Sequence, residues 1–476
     1  MKTVMLLING FGVEDKKSYS IYDKELMPNI DMLNKKYIFS SMKADVNNYR
    51  DGYRNMCLEV NEMYNYGIFS EAVNNNTLLS NKQYLDMKNE LLKRKSKLHL
   101  FCFLDDSERI VEQLKLVLKD LNPEKNLKIY LHIILTSGNY EDYSKIVKIL
   151  SKINVDLADY VKIGLVFGLA SISNNNPVTE FNYFFKIFIS EICERWQSFS
   201  QKFDVCYNLK QSPNMVKPFV VNNGFSLDKD DLFMFWNYDR VDLTTFISMT
   251  LGIKYGSDNN NFKMLSLFEL ISKEKIPYLL NYHPASKSLA SNLKDLKATA
   301  LIVAKKSQIA VINYYANGLQ SIQNPDISFI EADNYLFKPK ELLSIINTYQ
   351  QDLIIINYDI DNVKNISELK QLLHNIDIMI GNIYENSLGS KYSILISSLY
   401  GINKIMPNDK GEICNVLFSN KVPIIFIDDF ITKHNHLVEE GRISNLLPIC
   451  YKNINANYKG YSIIAKMNAL YRLFFK

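Results

Sequence analysis

At 476 residues the chain is too long for one ordinary hydrophobic core, so two or three domains are expected. A composition of 47% hydrophobic and 22% charged residues fits a globular protein, and a net charge of +4 is too small at this length to imply a nucleic-acid surface. Six cysteines with no C-x-x-C pair argue against zinc and for buried reduced thiols. With no signal-peptide layout and no apolar run near the ~18 residues of a membrane span, a cytoplasmic protein without membrane insertion is expected.

In chain order, strand and helix signals alternate. Val4-Met5-Leu6-Leu7-Ile8 is an unbroken apolar run, the mark of a strand buried on both faces of a parallel sheet. It ends in Asn9-Gly10-Phe11-Gly12, at the carboxyl end of a strand, where open α/β sheets place their chemistry. A metal site would need a carboxylate at position 9; asparagine is a neutral and poorer ligand. Met27 to Leu33, with Pro28 near its start, reads as a helix N-terminus, and Tyr49 to Val60 as a turn entering a helix. Asn74-Asn75-Asn76 reads as a linker. Leu98 to Leu104, Lys128 to Leu135 and Tyr160 to Ala170 read as strands, alternating with helices over Ser107 to Leu118, Tyr143 to Ile153 and Phe181 to Phe199. Asp231 to Tyr238 is a strand leading into a helix through Ile247, and Ile309 to Ala316 a further strand. Asp352 to Tyr358, Tyr392 to Ser398 and Val422 to Ile427 are strands, with a helix over Ile366 to Ile383. The alternation predicts an α/β fold with mostly parallel sheets.

The order of landmarks resembles one family over nearly the whole chain: the cofactor-independent (2,3-bisphosphoglycerate-independent) phosphoglycerate mutases of the alkaline phosphatase superfamily. Asn9-Gly10-Phe11-Gly12 stands where that family has Asp-Gly-Trp-Gly, and Met27-Pro28-Asn29-Ile30-Asp31 where it has Thr-Pro-Asn-Leu-Asp. Trp236-Asn237-Tyr238-Asp239-Arg240 matches a Phe-Arg-Pro-Asp-Arg segment, Asn317-Gly318 an Asn-Gly-Gly turn, and Lys421-Val422-Pro423 a Pro-Val-Pro. The resemblance implies an alkaline-phosphatase-like α/β domain from residues 1–75 and 325–476, with a transferase-like α/β domain inserted as 76–324.

The resemblance also implies a reaction through a phosphoserine on a two-metal site built from carboxylates and imidazoles. Here the first carboxylate is Asn9. The serine falls at Leu58, or at Cys57 if the alignment slips by one. The loop after Asn357-Tyr358 holds Asp359, Asp361 and Asn362 but no histidine. An Asp-His-Gly becomes Leu399-Tyr400-Gly401, and the last histidine's region reads Asn415-Val416-Leu417-Phe418. The phosphate-binding loops read Thr136-Ser137-Gly138-Asn139 and Phe167-Gly168-Leu169. A further arginine maps to Asn237, and a lysine maps near Gln308, with Lys306 two residues away. Asp239 and Arg240 persist.

Taken from the residues, Asp359 and Asp361 are either cation ligands or turn formers in a solvated loop, the latter preferred. Cys57 lacks the glycines and arginine of a cysteine phosphatase and reads as a buried thiol. Arg240 with Asp239 is a vestigial anion site or an ion pair. His434 and His436 have metal-like spacing in a polar loop, and His132 packs in a strand. The abundant tyrosine and phenylalanine, 30 and 26, serve the core or a partner surface. The expectation is therefore no catalytic or metal residues, no cofactor and no enzyme. It is instead a scaffold or interaction subunit that binds other proteins in a larger cytoplasmic assembly. The alternatives are an active divergent mutase or metal-dependent phosphatase, and a sensor of phosphorylated metabolites through Arg240.

Overall fold

The computed structural model describes all residues but 1, 13–24, 45, 47–48, 60–64, 95, 105–108, 139, 173–187, 189–192, 222–224, 226, 229, 245, 248–262, 272–275, 282–284, 332–338, 361–362, 364, 389–391, 408–412, 420, 428–440 and 456–476. The chain forms two compact units, Met1–Glu62 with Pro284–Lys476, and Met63–His283. Their junctions fall at 62/63 and 283/284, against the 75/76 and 324/325 read from the sequence. The asparagine run expected to link domains instead closes the Asn65–Asn74 helix inside the second unit, with Asn76 in the left-handed region at φ 55°.

The first unit is organised on a nine-stranded sheet. Its centre is the Lys2–Phe11 strand, flanked in parallel by Leu353–Asp359 and Tyr392–Ser397. Val4 to Ile8 are fully buried, each worth roughly 1.5–3 kcal/mol of transfer free energy for its larger side chains. The sheet continues in parallel through Ala300–Ala304 to Ile327–Glu331 on one side. On the other side it continues through the antiparallel strands Lys421–Ile427 and Ile38–Lys43, and the antiparallel pair Gly401–Pro407 and Ile413–Ser419, joined to the end of the central strand, makes up the nine. Ala300–Ala304 was not foreseen; because it pairs with Leu353–Asp359, residues 284–324 fold with the first unit.

The run read as a strand over Ile309 to Ala316 is a helix, Lys306–Ala316. Its β-branched residues favour a strand, but Ala300–Ala304 takes the sheet position and the next segment packs back as a helix burying Ile312, Tyr315 and Ala316. The expected helix at Pro28 is present, as Pro28–Lys36. Its exposed first-turn amides are met from another helix: the carboxylate of Asp377 accepts from the Asn29 and Ile30 N–H groups at 3.1 and 2.9 Å. The Tyr49–Leu58 helix lies tight against residue 399. A Cβ on Gly52 would stand 2.5 Å from the Leu399 Cβ.

The second unit carries an eight-stranded sheet. Its order is Tyr278–Leu280, Lys263–Phe268, Leu232–Trp236, Leu98–Leu104, Ile129–Leu135, Lys162–Gly168, Phe219–Val221, Glu194–Trp196, parallel except where Lys162–Gly168 meets Phe219–Val221. The expected long helix from Phe181 lies largely outside the described residues, and its end is resolved differently: Glu194–Trp196 is a strand and a helix begins at Phe199, capped by Ser198. Aromatic side chains fill this unit's core: Phe233 stacks on His99 and Phe101 on His132, while Phe188 and Phe225 meet both imidazoles edge-on. No described helix is long and apolar enough to cross a membrane.

Candidate functional site

Parallel pairing in the first unit sets Asn9 beside Asp359 and Leu7 beside Asn357. The polar ends of two apolar strands therefore meet at the carboxyl edge of the sheet. Gly10 turns the chain there at φ +100°, and a Cβ on it would come within 2.4 Å of Ile360. Ala300–Ala304 brings Lys305 to the same edge, and the following helix adds Gln308. From the Tyr49–Leu58 helix comes Tyr53.

These side chains form one buried network. Asn9, Asn357, Asp359, Gln308 and Tyr53 are all at most 5% exposed. The Asn9 amide donates to Asn357 Oδ1 at 2.8 Å and to Asp359 Oδ1 at 2.9 Å. Its own Oδ1 accepts from the Leu399 N–H at 3.1 Å. Asn357 Nδ2 donates to Gln308 Oε1 at 2.9 Å, and Tyr53 Oη donates to Asn357 Oδ1 at 3.1 Å. Gln308 Nε2 donates to Asp359 Oδ2, and Lys305 Nζ forms an ion pair with the same oxygen at 3.1 Å. Burial pushes the Tyr53 phenol far up, helped by Cys57 and the Asp359 carboxylate, so it remains a donor.

Leu399 and Tyr400, at the place of an Asp-His pair, are buried. Leu58 and Cys57, at the place of the nucleophile, are buried as well, and burial alone drives the Cys57 thiol far above its ordinary range. Cys57 is thus buried, as read from the sequence, and a thiol held protonated is a poor nucleophile. Lys306 points elsewhere, pairing with Glu331 at 3.2 Å. Asp361, Asn362, His283, His434 and His436 lie outside the described residues, as do the side chains of 415–418.

The resemblance brings with it a pair of divalent cations, and the cluster tests that expectation through its donor set. Two divalent ions want several anionic oxygens and neutral imidazoles aimed inward. This cluster offers one carboxylate, and that oxygen pair already accepts from two amides and faces an ammonium. Among the described residues no three of His, Cys, Asp and Glu stand together as a ligand set. The described groups of this cluster do not fit two divalent metals.

In the second unit, Arg240 is 5% exposed; its Nε donates to the Glu269 carbonyl at 2.7 Å and its Nη2 lies 3.8 Å from the Glu269 carboxylate. Asp239 turns its carboxylate to the Val241 and Asp242 N–H groups, capping the helical residues that follow. Asn237 accepts from the Asp239 N–H, and among the described residues its buried Nδ2 has no partner. His132 is buried in its strand, as expected, and is also one link of a polar chain. Its Nδ1 accepts from the Leu165 N–H at 3.1 Å, and its Nε2 lies 2.9 Å from His99 Nδ1. His99 Nε2 then meets Asp231 Oδ2 at 3.1 Å. Because the Leu165 amide can only donate, the neutral tautomers are fixed: His132 donates to His99, and His99 donates to the carboxylate.

No protein-family model matches the chain. It is 20% identical over 409 residues to the 2,3-bisphosphoglycerate-independent phosphoglycerate mutase of Sulfurimonas denitrificans, covering 81% of this chain and 82% of that one. The protein of the same name from Clostridium tetani is 21% identical over 499 residues, covering 94% and 95%. In structure, the chain superposes on Leishmania mexicana phosphoglycerate mutase, crystallised at low cobalt concentration, with a TM-score of 0.63 at 14% identity over 93% of each chain. The α/β fold with two mostly parallel sheets is thus that of a phosphoglycerate mutase. The sequence relatives are named as enzymes, and this overturns the expectation of a non-enzyme. That expectation equated lost metal ligands with lost chemistry, although a fold does not confine its site to one mechanism. Only about one residue in five is shared, so the activity is the relatives' own and reaches this chain as a proposal.

Proposed function

We propose that the chain is a divergent phosphoglycerate-mutase-like enzyme that acts on phosphorylated three-carbon acids at the carboxyl edge of its first sheet. The reading rests on end-to-end similarity to proteins named as such mutases. In this reading substrate is handled by the chain's own groups, with Lys305 and Asp359 as the charged centre and Asn9, Asn357 and Gln308 fixing their geometry. A lysine at a strand end is a suitable point charge for a phosphate or carboxylate. No step is assigned to metal, since the donor set does not suit a divalent pair. The test is a phosphorus NMR time course with each of the two phosphoglycerates, run in EDTA and in Mn2+. Interconversion or phosphate release, reduced by Lys305→Ala, is the expected result. No turnover in either buffer, with no thermal shift by either compound, would overturn it.

A second reading is membership of a larger protein assembly. The observation favouring it is that the Asn9, Asn357, Gln308 and Asp359 side chains bond chiefly to one another and are at most 5% exposed, which leaves little of them to a small ligand. Native mass measurement on protein isolated from its source would find it in a complex; free monomer alone would count against it.

A further inference from the structure

The polar cluster at the edge of the first sheet fixes the orientation of its amides by the hydrogen bonds they make. Asn9 uses both amide hydrogens and its oxygen. Asn357 uses its amide nitrogen on Gln308, and its oxygen receives Asn9 and Tyr53. Gln308 accepts from Asn357 and donates to Asp359. Rotating the Asn9 amide by half a turn would set its oxygen against Asn357 Oδ1 and Asp359 Oδ1, and its nitrogen against the Leu399 N–H. The arrangement therefore permits one orientation of Asn9, in which N–H groups rather than lone pairs face the Asp359 carboxylate. Among the described residues of the cluster the charges are one negative, on Asp359, and one positive 3.1 Å away, on Lys305. A buried carboxylate without a compensating cation is strongly unfavourable. Lys305 meets that need from a fixed place, the residue between the Ala300–Ala304 strand and the Lys306–Ala316 helix.

We infer that the Lys305 ammonium is the resident cation of this site, occupying the electrostatic role a divalent ion has in metal-dependent relatives of the fold, so that the chain keeps this pocket formed without bound divalent metal. The inference is independent of the proposed enzymatic reading: absent turnover leaves it standing, and bound metal defeats it while leaving turnover possible.

The experiment has two arms on the full chain. In the first, protein equilibrated with Mn2+ or Co2+ is desalted and its metal content measured, alongside melting curves in EDTA and in each metal. Well under one equivalent of metal and superimposable curves are expected. One or two ions retained per chain, or a saturable rise in Tm with either metal, would overturn the inference. In the second arm, Lys305→Gln is expected to lower Tm, and Lys305→Gln with Asp359→Asn to recover much of the loss, because the second change removes the stranded charge. An unchanged Tm in Lys305→Gln, or losses that simply add, would also overturn it. Should Lys305→Gln fail to fold, the metal arm on the unaltered chain decides alone.

Discussion

Acidification gives the sharpest test of the buried chain running from Asp231 through His99 to His132. Both histidines are fully buried. Burial lowers the pKa of each. For His99 the Asp231 carboxylate opposes burial only partly, while for His132 the neighbouring His99 adds to it. Burial also works against the charged form of Asp231. The bonds it receives from His99 and from the Asp228 and Lys97 N–H groups outweigh that, so its pKa lies below the ordinary value and it stays a carboxylate through this window. The remaining groups against the pair are Tyr130 and the aromatic rings, with the Lys97–Asp228 ion pair at the strand end. Folded-state pKa values below the unfolded ones mean that the unfolded chain binds more protons as pH falls. Stability is therefore full above about pH 6.5 and is lost on acidification below it. For a histidine that stays neutral when folded and titrates at about 6.5 when unfolded, the loss between about pH 7.5 and 5.5 is about 1.4 kcal/mol. Two such histidines set an upper limit of about 2.7 kcal/mol, which His99 does not fully reach because Asp231 offsets part of its burial; a typical stability is about 5–15 kcal/mol. Both tryptophans, Trp196 and Trp236, lie in the second unit, so urea unfolding followed by their fluorescence reports on it directly. His132→Met removes one titrating group and should roughly halve the acid-induced loss. An identical pH dependence in the variant and the unaltered chain would refute the reasoning.

Three further outcomes follow from contacts already described. Asp377→Ala strips the cap from the Pro28–Lys36 helix and should cost about 1–3 kcal/mol, read as a lower urea midpoint with unchanged m-value. Asn9→Asp replaces two donated hydrogens by a second carboxylate against Asp359. It should lower stability by about 3 kcal/mol or more at neutral pH in EDTA, a loss that shrinks as the carboxyls are protonated. Cys57 should resist alkylation by iodoacetamide at pH 8 in the native protein and react only on unfolding, as followed by mass spectrometry.

Much of the fold was legible because its strands are local signals. Val4 to Ile8 and the run ending at Tyr358 are too uniformly apolar for any position but the middle of a parallel sheet. Position 9 was legible for the same reason, since a polar residue ending such a strand must stand at its carboxyl edge. Lys305 is not legible as a site residue, and Gln308 is marked in the sequence only as the place near which the resemblance puts a lysine. The resemblance points to Lys306, and the apolar run from Ile309 reads as a strand, which would point alternate residues to opposite faces. Once it is a helix following Ala300–Ala304, its first turn and the residue before it face the edge. The His99–His132 link was hidden because it joins two strands of which only one carried a remarked histidine. A polar residue breaking each of two neighbouring apolar runs was the available signal.

The central strand of the first sheet has both its long-paired neighbours far downstream, the nearer starting at Leu353. During synthesis, about 340 residues separate Phe11 from the first of them, an interval of roughly 17–70 s at about 5–20 residues per second. For that time one of the most water-averse stretches of the polypeptide has no permanent mate, while the unit encoded between is free to collapse on its own. The chain order thus predicts help from a holding chaperone at the ribosome, and a circular permutant beginning near residue 350, with Leu353 about 130 residues ahead of Phe11 instead of about 340 behind it, should need less of it.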